Sequence, residues 1–290
     1  MAKTNLKKES FVTEPPETYG GVPEFVITYL NYKSRTYDGL NKLLVASKNR
    51  LAGCGIERDE EHDDIIPGLE GIKGKIVRSI EKDLGYWRIW TDWLKGVPGI
   101  GPDTASKLIL WWNYKFVPIC GDCGTDLIRK EKTYWCESCN KTAKGEGSLV
   151  QRIEMRDFPT ISKWWAFMGV HCDENGVKPK RKAGEQSNWS SKKRTLAHLI
   201  GEQFNRWTKR DHKYAKFLLA QKEKHRRKNG KRDKAWSDGH ILNAAQNEAV
   251  KLFLAHFWTV ARTLEEKPVS LPYAGTIMGH TDIIAPFYWD

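Results

Sequence analysis

Two pairs of cysteines constrain the fold of this chain more than any other feature. Cys120 and Cys123 form one Cys-x2-Cys pair, Cys136 and Cys139 form another, and twelve residues separate the pairs. Each pair can turn two thiolates toward one ion, and four thiolates complete the closed tetrahedral shell of a structural zinc site. The intervening residues suit a short β-hairpin, so the spacing predicts a zinc ribbon with structural Zn²⁺. An iron site with the same ligands and four unconnected thiols are the alternatives.

A glycine corner between two apolar segments predicts a helix-hairpin-helix. The chain reads Val-Pro-Gly-Ile-Gly-Pro from position 97 to position 102. Gly99 and Gly101 permit positive φ, Ile100 can anchor the turn, and Pro102 suits the first turn of a helix. Free amides at the start of that helix can hold a phosphate oxygen. The pattern indicates contact with a nucleic-acid backbone, and an ordinary helix-helix connection is the alternative.

Charge is distributed unevenly along the chain. The net charge is +12, yet residues 1–66 carry 9 positive and 11 negative side chains, so the remainder carries +14. Residues 222–234 alone hold eight basic and two acidic side chains. Such density favours a polyanionic partner or solvent. The predicted nucleic-acid contacts are Gly99, Ile100, Gly101, Thr104, Lys107, Lys180, Arg181, Lys182, Lys192, Lys193, Arg194, Arg226, Arg227, Lys228, Lys231 and Arg232.

Hydrophobic periodicity predicts a mainly α fold, with a helical domain that contains the hairpin and a long antiparallel helix pair, and with the small β ribbon inserted. One helix is expected over 24–52 and another over 77–94. The pair is expected to be one helix through 196–218 and one through 241–260. His256 lies on an apolar stripe and is expected to be a hydrogen-bonded core side chain. The cysteines without a partner, Cys54 and Cys172, are expected to be buried or semi-buried.

Six segments follow from these patterns. They are a flexible tail over 1–23, an N-terminal helix and acidic linker over 24–75, the helix-hairpin-helix over 76–115, the ribbon over 116–145, a helical region over 146–266 and a C-terminal tail over 267–290. The acidic linker contains five carboxylates around His62, which favour a solvated patch over a cation site. The C-terminal tail is aromatic and is expected to pack against the helices. No apolar run suits a membrane span or a signal peptide, so a cytoplasmic location is expected.

Several pieces resemble, in order, the C-terminal half of the bridge-RNA transposases of the insertion sequence 110/116/902 family. The hairpin resembles the family's Pro-Gly-Ile-Gly segment, and residues 158–170 resemble its Phe-x-Ser helix. Residues 182–184 occupy the place of its Ser-Gly loop, and residues 194–196 resemble the start of its next helix. The resemblance covers residues 76–265. It implies a helical scaffold that binds DNA together with a structured RNA.

Two catalytic parts of that family have no clear counterpart in this chain. The family's carboxylate domain, which binds Mg²⁺, would need a parallel sheet, and residues 1–75 are too few and too helical to form one. The position of its serine nucleophile reads Ala183. Ser187, Ser190 and Ser191 are candidates for a shifted nucleophile, and helix capping or phosphate contact are the alternatives for them.

The leading hypothesis is therefore a DNA-binding protein of the transposition or recombination type, which grips the backbone through the hairpin and two basic loops. Structured RNA is a second candidate ligand. One alternative is an active phosphodiester-transfer recombinase that uses a shifted serine or a separate chain supplying carboxylates and Mg²⁺. Another is a structural nucleic-acid-associated assembly protein. The helix over 24–52 could also pair with a second copy, and nucleoid association is expected in a bacterial or phage setting.

Overall fold

The structure is a computed structural model that describes residues 17–55, 64–130, 133–143, 149–172, 177–181, 184, 187, 189–229, 235–270 and 284–289. Within these ranges the chain is mainly α-helical, as predicted. The helices are α1 Glu24–Gly53, α2 Ile65–Leu84, α3 Arg88–Asp92, α4 Pro102–Asn113, α5 Ile161–Met168, α6 Ser191–Arg206, α7 Lys213–Asn229 and α8 Asp238–Leu264, with a 3-10 turn at Leu94–Gly96. The strands are β1 Thr18–Tyr19, β2 Val22–Pro23, β3 Tyr114–Ile119, β4 Ile128–Lys130, β5 Thr133–Cys136, β6 Lys141–Ala143 and β7 Val150–Met155.

Helix α8 lies at the centre of the main core, in contact with α3, α5, α6 and α7. Its apolar positions recur through most of the helix, and Phe253, Phe257 and Trp258 are fully buried. Aromatic rings from the neighbouring helices pack on them. For example, Trp93 stacks on Phe253, and Trp164 of α5 stacks on Phe257. Burial of large rings is the main favourable term in such a core, so α8 holds the helices around it.

The predicted antiparallel pair is formed by α7 and α8. Contacts along the pair run in opposite directions, from Tyr214 with His256 to Arg226 with Asp238. His256 is a buried, hydrogen-bonded side chain as predicted: Tyr214 Oη lies 2.8 Å from its Nδ1, and its Nε2 lies 3.1 Å from the carbonyl oxygen of Ile284. Burial lowers the pKa of His256 to about 4, so the imidazole is neutral in the fold.

The prediction of one helix through 196–218 is wrong, because α6 ends at Arg206 and α7 starts at Lys213. The turn between them folds against the glycine corner. His212 is buried, and its Nε2 lies 2.8 Å from the carbonyl oxygen of Pro98. This long-range contact fixes the turn, and the shared helical stripe gave no sign of it.

The single helix predicted over 77–94 is also wrong. The chain leaves α2 at Gly85 and continues as α3 and the 3-10 turn. The break allows Trp87, Trp90 and Trp93, which are three residues apart, all to be buried. A straight α-helix would spread these three large rings over a wider arc.

The two ends of the chain depart from the sequence prediction to different extents. Residues 18–23 belong to the predicted flexible tail, yet β1 and β2 form a small hairpin because Val22 is buried in the core. In the C-terminal tail, packing against the helices is confirmed for residues 284–289, where Trp93 Nε1 donates to the carbonyl oxygen of Phe287 at 2.7 Å. None of the helices that the structure describes is long and apolar enough to cross a membrane.

The ribbon stands on a two-stranded stem. Strand β3 follows α4 directly and pairs with β7 in antiparallel register from Tyr114 with Met155 to Ile119 with Val150. Beyond the stem, β4, β5 and β6 form a three-stranded antiparallel sheet. The ribbon has a small hydrophobic cluster of its own, separate from the helical core.

Candidate nucleic-acid interface and metal centre

The four paired cysteines converge at one point of the ribbon. Their Sγ atoms all lie within 4.8 Å of one another, and no other group of three or more possible metal ligands occurs in the described part of the chain. Positive φ at Gly124 and Asn140, one residue after each pair, closes the two knuckles. The amide of Cys139 donates to Cys136 Sγ at 3.4 Å, a contact that stabilises a thiolate. The cluster could therefore hold a metal ion such as zinc.

The protonation of these thiols depends on their mutual contact. Hydrogen bonding with Thr125 lowers the pKa of Cys123 to about 6, whereas contact with Cys123 and Cys136 raises the pKa of Cys139 to about 12. Four thiolates repel one another at this distance, and a divalent cation removes that repulsion.

The ribbon also presents Lys130, whose Nζ lies 4.7 Å from the ring centre of Trp135. Lys132, another basic residue of this hairpin, lies outside the described residues.

The glycine corner has the predicted positive φ at Gly99, where φ is +86°, and Ile100 is buried as an anchor of the turn. Gly101 does not use positive φ: its φ is −86°, because it is the extended residue before α4, which begins at Pro102. The amide of Ile100 donates to the carbonyl oxygen of Val97 at 3.1 Å. Gly101 is exposed. The start of α4 is therefore placed at the surface.

The turn between α6 and α7 braces this corner from one side. A Cβ atom on Gly99 would lie 3.2 Å from Gln203 Cβ and 3.6 Å from Trp207 Nε1. The guanidinium of Arg210 in turn lies 4.5 Å from the ring centre of Trp207. Gly99 is thus needed both for its positive φ and for the close approach of α6.

Gly99→Ala is expected to lower the free energy of unfolding by about 1–3 kcal/mol from the strained φ, and further through contact with Gln203 and Trp207. Gly21→Ala is the matched control, since Gly21 has a φ of +78° and a Cβ atom there would have nothing within 4 Å. Urea unfolding followed by circular dichroism measures both variants. Equal losses would contradict the close approach at Gly99.

Three exposed cations lie next to Trp207 in the chain, and the sequence did not single them out. Arg206, Lys209 and Arg210 follow one another around the end of α6, and none has a salt bridge to a carboxylate among the described residues. Asp211, the acidic residue of the turn, is bound instead to Lys216. The basic residues beside a tryptophan are the sequence signal for this group, but the apolar periodicity places them in the middle of a predicted helix. We call Gly99, Gly101, Arg206, Lys209 and Arg210 the corner surface.

Lys107, predicted to contact nucleic acid, instead forms ion pairs within the protein. Its side chain is nearly buried, and its Nζ lies 2.7 Å from Asp38 Oδ1 and 2.7 Å from Asp103 Oδ1. Thr104, on the same helix, is partly exposed. Because Lys107 neutralises two carboxylates, it has little charge to offer a phosphate group.

A second group of cations lies at the start of α6, on the faces of aromatic rings. The guanidinium of Arg194 lies 3.3 Å from the ring centre of Trp189, and Lys193 Nζ lies 3.3 Å from that of Phe167. Arg156, which the sequence did not single out, shares the Phe167 ring. Burial and the neighbouring Arg156 lower the pKa of Lys193 to about 8. These cations repel one another, and an anion would relieve that repulsion.

The remaining predicted contacts differ in availability. Lys180, Arg181, Arg227 and Lys228 are exposed, and none of them forms a salt bridge with a carboxylate within the described ranges. Lys192 is exposed but lies 3.3 Å from Asp38, and Arg226 pairs with Glu223 and Asp238. Lys182, Lys231 and Arg232 lie outside the described residues, as do Ala183 and His62.

The three candidate serines have local hydrogen-bonding roles or none. Ser187 Oγ donates to the carbonyl oxygen of Trp189, and Ser191 Oγ accepts from Arg181 at 3.1 Å. Ser190 is the residue before α6 but makes no side-chain cap. Among the described residues, no carboxylate cluster that could hold Mg²⁺ lies beside these serines. The expectation that Cys54 and Cys172 are buried or semi-buried is wrong, because both are exposed.

Comparison with known proteins gives no relative from which to transfer a function. No family model, no curated protein and no solved structure matches this chain.

Proposed function

We propose that this protein binds the phosphate backbone of nucleic acid, with duplex DNA as its ligand, through the corner surface. The observation that carries the proposal is the stack in which Trp207 covers Gly99 and Arg210 covers Trp207. It brings a guanidinium beside the exposed start of α4, where helix amides and the helix dipole favour an anion. Arg also binds phosphate in a bidentate manner.

The second cationic group supports an extended contact along the nucleic acid. Helix α6 has 16 residues and is therefore about 24 Å long, with the corner surface at its end and Lys193 and Arg194 at its start. Phosphates of one DNA strand that are several nucleotides apart match this separation. Contacts of this kind position a protein on DNA without reading bases, so binding with little sequence preference is expected.

We propose that the ribbon metal is Zn²⁺ and that its role is structural. Four sulfur ligands in two knuckles are the usual donor set for such a site, and they leave no open position for a reacting group. Membership of the transposase family and a role in transposition stay predictions. Nothing in the described geometry supplies the carboxylates that strand transfer requires.

Substitution of the three exposed cations tests the proposed interface. The variant Arg206→Gln/Lys209→Gln/Arg210→Gln is expected to weaken duplex DNA binding and to reduce the slope of log K against log salt by about 0.9 for each phosphate that the variant no longer neutralises. Fluorescence anisotropy over a salt series measures this slope. A labelled single-stranded RNA, measured in the same way, tells whether DNA is preferred.

A charge-matched control separates local contact from net charge. The variant Lys48→Gln/Arg88→Gln/Lys115→Gln also removes three positive charges, but at residues that form salt bridges with Glu70, Asp92 and Glu154. We expect this control to keep the wild-type slope. An identical loss in both variants, or no salt dependence in the wild type, would reject the corner surface as the binding site.

A further inference from the structure

Four nitrogen-bearing side chains from four different segments meet beside α6. His171 follows α5, Lys178 lies in the segment 177–181, Arg194 is in the first turn of α6, and Lys251 is in the middle of α8. Arg194 Nη1 donates to the carbonyl oxygen of Pro179, which follows Lys178, and Lys251 Nζ lies 3.0 Å from Sγ of Cys172, which follows His171. All four side chains are partly buried. We call these four residues the basic recess.

Contacts with neutral groups hold the cations in place. Arg194 Nε donates to the carbonyl oxygen of Gly169 at 2.7 Å, and its Nη1 donates to that of Pro179 at 2.8 Å. Lys178 Nζ donates to Asn247 Oδ1 at 2.8 Å. The orientation of these donors is therefore set before any ligand arrives, which lowers the entropic cost of binding.

Two buried donor positions in the recess have no partner. Arg194 Nη2 and His171 Nδ1 are shielded from solvent, and neither has a hydrogen-bond partner. A buried polar atom left unpaired costs free energy, and in a native fold it commonly marks the place of a ligand, water or ion. Both atoms belong to this group of four residues, and because neither is accessible to solvent, a ligand would reach them only with a shift of the surrounding side chains.

No carboxylate among the described residues compensates the positive charge of the recess. None of its four side chains has a salt bridge to a carboxylate within the described ranges. Burial, followed by the charges of Arg194 and Lys251, lowers the pKa of Lys178 to about 8 and lowers that of His171 as well. The Cys172 thiol, 3.0 Å from Lys251 Nζ, is the other titratable group that faces these side chains. Retaining several half-buried cations without a counter-ion is costly unless a bound anion offsets that cost.

We propose that the basic recess binds a phosphate monoester, at the end of a nucleic-acid strand or on a small phosphorylated molecule. A monoester carries nearly two negative charges at neutral pH and three acceptor oxygens, whereas a backbone diester carries one charge. Three cationic side chains and an unpaired imidazole match the dianion better. If the monoester is the phosphate at the end of a nucleic-acid strand, the inference rests on the proposed function, because the recess then adds a contact with the strand end to the binding of the backbone.

Matched oligonucleotides test the proposal. A duplex with 5′-phosphates is expected to bind about tenfold more tightly than the same duplex with 5′-hydroxyls, the gain that one or two charge-assisted hydrogen bonds supply. The preference should disappear in Lys178→Gln/Lys251→Gln, which keeps the corner surface intact. Lys178→Arg/Lys251→Arg retains the charges and is expected to keep most of the preference. Thermal melting followed by circular dichroism checks that both variants are folded.

Calorimetry with inorganic phosphate separates the two sources of the monoester. Phosphate that binds the wild type but not Lys178→Gln/Lys251→Gln, together with equal binding of the two duplexes, would assign the recess to a small phosphorylated molecule. Proton uptake at pH 8, measured in buffers of different ionisation heat, is expected in either case because the anion favours protonated Lys178. The proposal is wrong if inorganic phosphate does not bind the wild type and the 5′-phosphate duplex binds no more tightly than the 5′-hydroxyl duplex. This holds even if the protein still binds the nucleic-acid backbone.

A glycine beside the recess offers an independent variant. A Cβ atom on Gly169, which has a φ of +72°, would lie 3.3 Å from both Cβ and Nε of Arg194. Gly169→Ala is therefore expected to displace Arg194 and reduce the 5′-phosphate preference. Gly184→Ala is its control, because Gly184 has a φ of +76° and a Cβ atom there would have nothing within 4 Å. An unchanged preference in Gly169→Ala would count against Arg194 as a ligand.

Discussion

Cys136→Ser is expected to abolish metal binding and unfold the ribbon while the helical core stays folded. Cys136 is fully buried, and its Sγ lies 3.5 Å from that of Cys123, so serine removes a central ligand. Binding of zinc at a structural four-cysteine site contributes about 10–16 kcal/mol, which is far more than the ribbon's few buried side chains can supply. Metal analysis of the purified protein and hydrogen exchange over residues 120–143 measure the two effects.

The separation of the two hydrophobic clusters is the reason to expect a local effect. Cys120, Leu127, Tyr134 and Cys136 form the ribbon cluster, and none of them belongs to the helical core. The β3–β7 stem connects the two parts and keeps its own antiparallel pairing. Cys54→Ser is the control, because Cys54 is exposed and far along the chain from the ribbon. Full metal content in Cys136→Ser, or global unfolding on its loss, would contradict this account.

Local patterns allowed the ribbon and the hairpin to be predicted from the sequence. The spacing of Cys120, Cys123, Cys136 and Cys139 brings four thiols together through short turns, in a cluster that could hold a metal ion, and those turns need no information from the rest of the chain. The glycine corner is similar, since positive φ at Gly99 depends on its own backbone. The sequence also predicted α8, whose long apolar stripe is buried along its length. In each of these cases one short segment carries the whole signal.

Contacts between distant segments could not be predicted in this way. The sequence predicts Lys107 to be a free cation on a helix of the hairpin, and only the fold brings Asp38 of α1 to its Nζ. The sequence also predicts helix through the residues after Arg206, whereas the contact of His212 with Pro98 makes them a turn. Arg210 likewise gains its position from Trp207, which lies on a glycine about a hundred residues earlier in the chain. Tertiary contacts override the local propensity in all three cases.

The same reasoning explains why the candidate cations differ in their availability to bind phosphate. A lysine or arginine contributes to phosphate binding only when the fold leaves it without a carboxylate partner, because a paired cation must first lose that partner. Lys107 and Arg226 are paired, whereas Arg210 and Arg194 stack on tryptophan rings without a carboxylate partner among the described residues. Stacking holds a guanidinium in place. Arg194 uses Nε and Nη1 to donate to the carbonyl oxygens of Gly169 and Pro179, whereas Arg210 makes no side-chain hydrogen bond of this kind among the described residues. The proposed backbone contacts therefore centre on Arg210 and on the exposed Arg206 and Lys209.

Trp164→Ala is expected to lower the free energy of unfolding by about 3–5 kcal/mol, a large part of the 5–15 kcal/mol that is typical of a folded domain. The Trp164 ring is fully buried among Trp112, Phe158, Phe167 and Phe257, with ring centres 5.0–5.8 Å away. Its removal leaves a cavity that four rigid rings cannot fill. Urea unfolding followed by circular dichroism measures the loss, and exposed Tyr86→Ala is the control.

Trp164→Phe separates the ring from its polar atom. Trp164 Nε1 is buried without a hydrogen-bond partner, so phenylalanine removes an unpaired donor along with part of the ring, and the two effects oppose each other. Trp258 is also fully buried, but its Nε1 donates to the carbonyl oxygen of Phe158 at 2.7 Å. Trp258→Phe loses that bond as well as ring volume, so it should be the more destabilising of the two. Equal or reversed losses would mean that the Trp164 indole nitrogen has a partner in solution, and that the aromatic core is hydrated at this point.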